Sequence, residues 1–224
     1  ELLDSYDFIF AYAVASIDEA LSLREVTKKK VMVLGITPVW ALETAIQNNI
    51  DITVADLGTA KEANTIAQKL KTKAQIHIKV DTGMNRIGFK NSNSFHEEMQ
   101  AIAKLEALEV VTAYTHMANS SDIACSQKQE ELFYEMMKPY DFKLHLASSA
   151  AARNAQNKDF DFVRAGIELY GLANPKLKPL LALYARISFV KSIKAGEKVS
   201  YGGTWTARKD TKIITLPLGY ADGV

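Results

Sequence analysis

Gln75-Ile76-His77-Ile78-Lys79-Val80-Asp81-Thr82-Gly83-Met84-Asn85-Arg86-Ile87-Gly88 alternates apolar and polar residues, then breaks on a turn bounded by two glycines. In a strand successive side chains point to opposite faces, so Ile76, Ile78 and Val80 share one face and His77, Lys79 and Asp81 the other. An apolar outside then meets a charged inside, and charge facing inward predicts a site. The competing reading is an edge strand with a solvated polar face. Gly83 and Gly88 argue against it. They bracket a turn that aims Arg86 back over the strand end, where a guanidinium is better placed to hold an anion or polar cofactor than to confer solubility.

Working outward, strand-like runs at Phe8 to Val14, Val31 to Gly35, Asp51 to Asp56, Glu109 to Met117, Lys143 to Ser148 and Asp161 to Leu169 join the run ending at Asp81. Helical patterns separate them, and regular alternation predicts strand-helix units. Ser16-Ile17-Asp18-Glu19 is a capping box, and Thr37-Pro38 supplies an N-cap with proline at the first helical position. Ala60 to Lys71, Ser94 to Leu105 and Ser126 to Lys138 carry apolar residues at helical spacing. A doubly wound sheet would announce itself with a Gly-rich loop after its first strand, and none is present. Polar residues at the strand ends (Asp81, His116, Ser148, Ser149, Arg164) suit a (β/α)8 TIM-type barrel, whose site is built from those ends. Seven strands do not close such a barrel, so an eighth is expected before Glu1.

The rhythm breaks near Ala173-Asn174-Pro175-Lys176-Leu177-Lys178-Pro179. Beyond it Arg186 to Val190, Lys198 to Tyr201 and Lys212 to Leu216 read as strands joined by short Gly-containing turns. The predicted division is a barrel over 1–177 and the start of a β-rich C-terminal domain over 178–224.

The chain has 224 residues, 48% hydrophobic and 24% charged, enough to bury a full core. Its net charge of +1 argues against a nucleic-acid partner and leaves a small ligand as the expectation. The single cysteine, Cys125, excludes an internal disulfide and a thiolate metal cluster, and the natural reading is a reducing cytoplasm with no metal site. The longest apolar stretch, Leu180 to Ala185, is far short of the roughly 20 residues of a membrane helix, so no membrane association is expected. The chain opens at Glu1 without Met and stops just after a motif, which predicts material beyond both ends.

Several residues could carry chemistry. His116 stands at a strand's C-terminal end, either satisfied by nearby backbone or catalytic. Ser148 and Ser149 precede a helical run and read either as N-caps or as part of a phosphate site. Gly166 follows the next strand end, where an amide can approach an anion. Counted with one strand in front, these are strands 7 and 8, the usual phosphate position of the barrel. Lys79, if buried, must be paired or have its pKa lowered. Tyr201 and Tyr220, each beside glycine, carry no role without context.

Together, Ala13 to Ala20, Lys79-Val80-Asp81-Thr82-Gly83-Met84, Val163-Arg164, Leu169-Tyr170-Gly171, Val199-Ser200-Tyr201-Gly202 and Gly219-Tyr220-Ala221-Asp222-Gly223 resemble the bacterial alanine racemase family over almost the whole chain. The resemblance implies pyridoxal 5'-phosphate as cofactor, with Arg164 facing its pyridine nitrogen and Ser149, Gly166 and Ile167 holding its phosphate. Arg86 would contact the phenolic oxygen and the substrate, braced by Lys79, which is carbamylated in some members. Tyr201 would be the catalytic tyrosine, acting across a homodimer interface on the partner's cofactor. His116 would link it to Arg164, and Tyr220 would line the substrate entry. Removing the Cα proton from one face and returning it to the other requires two flanking bases. Tyrosine is one, and the other is the Schiff-base lysine that the family carries upstream of where this chain begins. On that reading the chain alone is inactive. It departs from the family in having Ser148 for Asn, Ala165 for Pro and Glu168 for Ala.

The implied function is interconversion of L- and D-alanine for peptidoglycan. The alternatives are a racemase of serine or of several amino acids, the racemase domain of a larger membrane protein, a non-catalytic pyridoxal-phosphate-binding barrel, and an inert fragment.

Overall fold

The computed structural model describes residues 2–154 and 160–223, which form two compact units, Glu1–Leu169 and Tyr170–Val224. In the first, seven strands pair in parallel in chain order: β1 (Ala11–Val14), β2 (Lys30–Ile36), β3 (Ile50–Val54), β4 (Ala74–Asp81), β6 (Leu108–Tyr114), β7 (Lys143–Ser148) and β8 (Phe162–Arg164). A two-residue strand, β5 (Phe89–Lys90), pairs with β4 alongside that path. Between them run α1 (Ile17–Arg24), α2 (Val39–Gln47), α3 (Leu57–Lys69), α4 (Phe95–Ala103), α5 (Ile123–Met137) and α6 (Ser149–Asn154). β1 and β8 end the pairing order, and Phe10, just before β1, stacks on Phe162 of β8 with ring centroids 4.3 Å apart. The sheet therefore curls into a nearly closed parallel barrel, the expected α/β architecture.

Alternation explains both faces of the strands. Ile52, Val54, Ile76, Ile78 and Val80 are fully buried in one apolar cluster with Leu42 and Ala45 of α2, Ala60 and Ala63 of α3 and Phe133 of α5. Each such isoleucine contributes about 1.5–3 kcal/mol on burial. On the opposite phase Asp51, Thr53, His77, Lys79, Thr112, Tyr114 and His145 are also buried. A buried polar group left unpaired costs about 1–3 kcal/mol, so that inner face stands only because it is hydrogen-bonded.

Helix starts follow their caps. Ser16, Asp56 and Asp122 accept from the amides of Glu19, Thr59 and Cys125. At α1 the Glu19 carboxylate reaches back to the amide of Ala15, so the predicted box closes one residue early. The Thr37-Pro38 cap is corrected: Pro38 itself occupies the cap position at ψ 148°, an extended value that makes Val39 the first helical residue. Asp56 caps α3 instead of ending β3, so α3 starts three residues before the expected Ala60. The run from Asp161 to Leu169 shortens to Phe162–Arg164, because a 3-10 turn at Ile167–Tyr170 follows.

The second unit holds two antiparallel pairs, β9 (Phe189–Ile193) with β12 (Thr211–Thr215), and β10 (Lys198–Val199) with β11 (Trp205–Thr206). No α-helix occurs among its described residues. Strand β11 escapes a sequence reading because two residues show no alternation. Tyr201 falls past the end of β10, in a 3-10 turn at Tyr201–Gly203. Among the described residues no helix is long and apolar enough to cross a membrane.

Candidate active site

The polar inner face of the barrel converges at the strand C-termini. At the end of β4, the Asp81 carboxylate accepts from the amides of Gly83 (3.1 Å) and Asn85 (2.9 Å). Burial would raise the Asp81 carboxyl, but those amides and the Lys79 charge outweigh it and hold it below its usual range. Gly88 has φ 126°, and a Cβ there would lie 2.6 Å from the Asp81 nitrogen, so only glycine lets this turn close against the strand. Arg86 is exposed on the turn, yet its charge acts on Lys79, Tyr114 and His116.

Lys79 is 2% exposed and donates to the Val80 carbonyl at 2.7 Å. Burial lowers its pKa to about 8; Asp81 opposes that shift, while Arg164 and Arg86 add to it. In the unmodified side chain two cations repel, and the Lys79 ammonium turns to a backbone carbonyl.

Arg164 ends β8 and is the most heavily bonded side chain of the site. One terminal nitrogen donates to Nδ1 (2.7 Å) and the carbonyl (3.0 Å) of His145. The other donates to the Thr115 carbonyl (2.7 Å), His116 Nδ1 (3.0 Å) and the Leu146 carbonyl (3.2 Å). Every one of these partners is a neutral acceptor. Burial lowers the guanidinium to about 10, which leaves it a cation at neutral pH. His116 is pushed down to about 4, first by burial and then by the charges of Arg164, Arg86 and Lys79. It is therefore neutral at pH 7, with Nδ1 free to accept from Arg164. Of the expected link from Tyr201 through His116 to Arg164, the contact between His116 and Arg164 is present.

Tyr114 forms the floor beneath these cations. Its ring stacks on His145 with centroids 4.8 Å apart, and Lys79 Nζ and the Arg164 guanidinium carbon each lie 5.4 Å from its centroid. Its hydroxyl reaches the Leu34 carbonyl at 2.9 Å and Thr53 Oγ1 at 2.7 Å, and burial raises its pKa to about 12.

Beyond the ends of β7 and β8, Ser149 Oγ accepts from the Gly166 amide at 3.1 Å, so the two predicted phosphate residues are neighbours. A Cβ on Gly166 would meet nothing within 4 Å, which leaves open space on its face. Ile167 follows, half exposed. Ser148 lies 3.4 Å from the Ser120 hydroxyl, and Glu168 pairs with Arg153. Tyr201 and Tyr220 belong to the second unit, each 98% exposed on a 3-10 turn.

Sequence reading missed Tyr114, Thr112, His145, Asp51 and Gln129. The signal was there in four of them: Asp51, Thr112, Tyr114 and His145 stand on the inward phase of their strands, as His77 does. Gln129 lies on α5, where its amide nitrogen donates to Thr82 Oγ1 and the His116 carbonyl and its oxygen accepts from Ala118.

Residues 9–174 match the family described as alanine racemase, N-terminal domain, and residues 180–224 the alanine racemase, C-terminal domain. A curated relative, alanine racemase 2 of Caldanaerobacter subterraneus, is 34% identical over 228 residues, covering 95% of this chain and 59% of its own length. A solved alanine racemase of Clostridium difficile 630 superposes with a TM-score of 0.85 at 33% identity, over 99% of this chain and 62% of that one. A solved histidine racemase of Leuconostoc mesenteroides has a TM-score of 0.74 at 26% identity, over 96% of this chain and 62% of that one. The chain thus spans about three fifths of the length of the relatives it matches. With both domain families matched in order along a barrel of this geometry, the chain belongs to the alanine racemase family.

Proposed function

We propose that the protein carrying this chain is a pyridoxal-phosphate-dependent alanine racemase, a cytoplasmic homodimer that supplies D-alanine for peptidoglycan. The observation that carries this reading is Arg164, a half-buried cation whose hydrogen-bond partners among the described residues are all neutral acceptors, close in sequence to Gly166 of the Ser149–Gly166 pair. These residues fit the cofactor. A serine hydroxyl beside an amide, with open space over Gly166, suits a phosphate. A guanidinium with no carboxylate among its hydrogen-bond partners in the described residues suits a ring nitrogen that accepts. When bound, the cofactor supplies an electron sink that makes the Cα hydrogen of an attached amino acid removable.

This chain's residues then divide the work. Ser149, Gly166 and Ile167 hold the phosphate. Arg164 donates to the ring nitrogen and keeps its own proton, which limits electron withdrawal into the ring and so restrains side reactions. Arg86 orients the phenolic oxygen and the substrate. Lys79, once carbamylated, becomes an anion able to pair with Arg86. The Tyr201 hydroxyl moves the Cα proton on one face of the partner's site, Tyr220 borders the entry, and His116 connects Tyr201 with Arg164.

The likeness to a histidine racemase supports a second reading, a racemase of another amino acid. Titrating the chain with pyridoxal phosphate by absorbance, and assaying the protein that carries it on L-alanine, L-serine and L-histidine, separates these. Binding with alanine turned over fastest is the expected result, and Arg164→Ala weakens binding at least tenfold. Absence of both binding and racemisation would refute the assignment.

A further inference from the structure

Arg164 is also one end of a file of four hydrogen bonds, the other three of them buried. Its terminal nitrogen lies 2.7 Å from His145 Nδ1, His145 Nε2 lies 2.8 Å from Thr112 Oγ1, Thr112 Oγ1 lies 2.6 Å from His77 Nδ1, and His77 Nε2 lies 3.2 Å from Asp51 Oδ2. His145, Thr112, His77 and Asp51 are all 3% exposed or less. The file steps from β8 through β7, β6 and β4 to β3, which are successive neighbours in the sheet. It thus crosses five adjacent strands of the barrel interior.

Its two ends differ in kind. A guanidinium can only donate and a carboxylate can only accept. Arg164 donating to His145 Nδ1 leaves the His145 proton on Nε2. Thr112 accepts that proton's hydrogen bond and turns its own hydroxyl hydrogen to His77 Nδ1. The His77 proton then sits on Nε2, facing Asp51. Both ends demand the same direction, so with both imidazoles singly protonated one arrangement satisfies all four bonds, and the reversed one would set donor against donor at Arg164.

We propose that Asp51, His77 and Thr112 are positioning residues for Arg164, forming a one-directional hydrogen-bond file that keeps the His145 Nδ1 lone pair turned toward the guanidinium. The file links Arg164, which has no carboxylate among its partners in the described residues, to a carboxylate four hydrogen bonds away. Lys30, with Nζ 3.8 Å from Asp51 Oδ2, holds that carboxylate from the other side. The importance of this positioning for the cofactor rests on the function proposed above, whereas the proton positions do not.

Long-range proton–nitrogen correlation spectra of the full chain, labelled with 15N in histidine and arginine and free of cofactor, read the file directly. The expected result is the Nε2–H tautomer for both His77 and His145, with resolved Arg164 terminal N–H signals. Thr112→Val, nearly the same shape without the hydroxyl, should move His77 Nδ1 to the position of an unbonded acceptor and broaden the Arg164 signals. Thr112→Ser should restore both. Pyridoxal-phosphate affinity should fall about tenfold in Thr112→Val and recover in Thr112→Ser. An Nδ1–H tautomer or a doubly protonated ring at either histidine of the unaltered chain overturns the proposal. So does a Thr112→Val chain with unchanged spectra. A chain that takes up no cofactor at all would count against the racemase reading instead, while the tautomers still decide the file.

Discussion

Lys79 is where the site's electrostatics are most exposed to test. Its folded-state pKa of about 8 lies below the ordinary lysine value of about 10.4. Between those values the unfolded chain binds more protons than the folded one, so stability contributed by this residue rises with pH over that window. The penalty for burying the charge is full below about pH 8 and amounts to roughly 3 kcal/mol. In bicarbonate-free buffer, where no carbamate forms, Lys79→Met should therefore be the more stable protein at pH 7 by up to roughly 3 kcal/mol, with the difference shrinking toward pH 10. Urea unfolding at several pH values measures it. A difference that stays constant with pH would remove Lys79 as its source. Sequence alternation already placed Lys79 inward; its lowered pKa comes from burial and from Arg164 and Arg86, whose distance in sequence says nothing about their distance in space.

At the scale of elements, helix α5 does more than cover the barrel. Gln129 reaches from it to hold Thr82, the residue after β4, together with the backbone at His116 and Ala118 beyond β6. Gly83, beside this contact, has φ 140°, a backbone conformation that favours glycine. Replacing Gln129 with Leu strands the Ala118 amide and the His116 carbonyl, which should cost about 1–3 kcal/mol. The same change loosens His116 and should weaken cofactor binding, whereas a Gln129→Leu chain with unaltered unfolding midpoint and affinity would show the clasp to be idle. Helix α5 itself was readable as an apolar pattern from Ser126 to Lys138. Its start at Ile123 and its clasp were not, because the cap at Asp122 and the hydrogen bonds of Gln129 depend on loops whose path the periodicity of a helix does not record.

At the scale of the whole molecule, the proposed division of labour puts Tyr201 in one subunit and Arg164 in the other half of the same site. The fully exposed position of Tyr201 on its own unit is compatible with that role. Mixing inactive Tyr201→Phe and Arg164→Ala versions of the protein carrying this chain should regenerate about a quarter of the original activity, since half the dimers are then mixed and each has one intact site of two. No recovery after subunit exchange would place both residues in a single subunit's site. The strand-helix alternation, the polar strand ends and the motifs around Asp81, Arg164 and Tyr201 were all legible in the chain, and they suffice to specify the barrel and the family. They are local signals: period, turn chemistry and motif spacing travel with the sequence. The neutral cup around Arg164, the floor made by Tyr114 and the file down to Asp51 belong to the tertiary structure alone. Each depends on strand register, where a shift of one residue turns a side chain to the opposite face, and register is set by packing across the barrel rather than by the residues of any one strand.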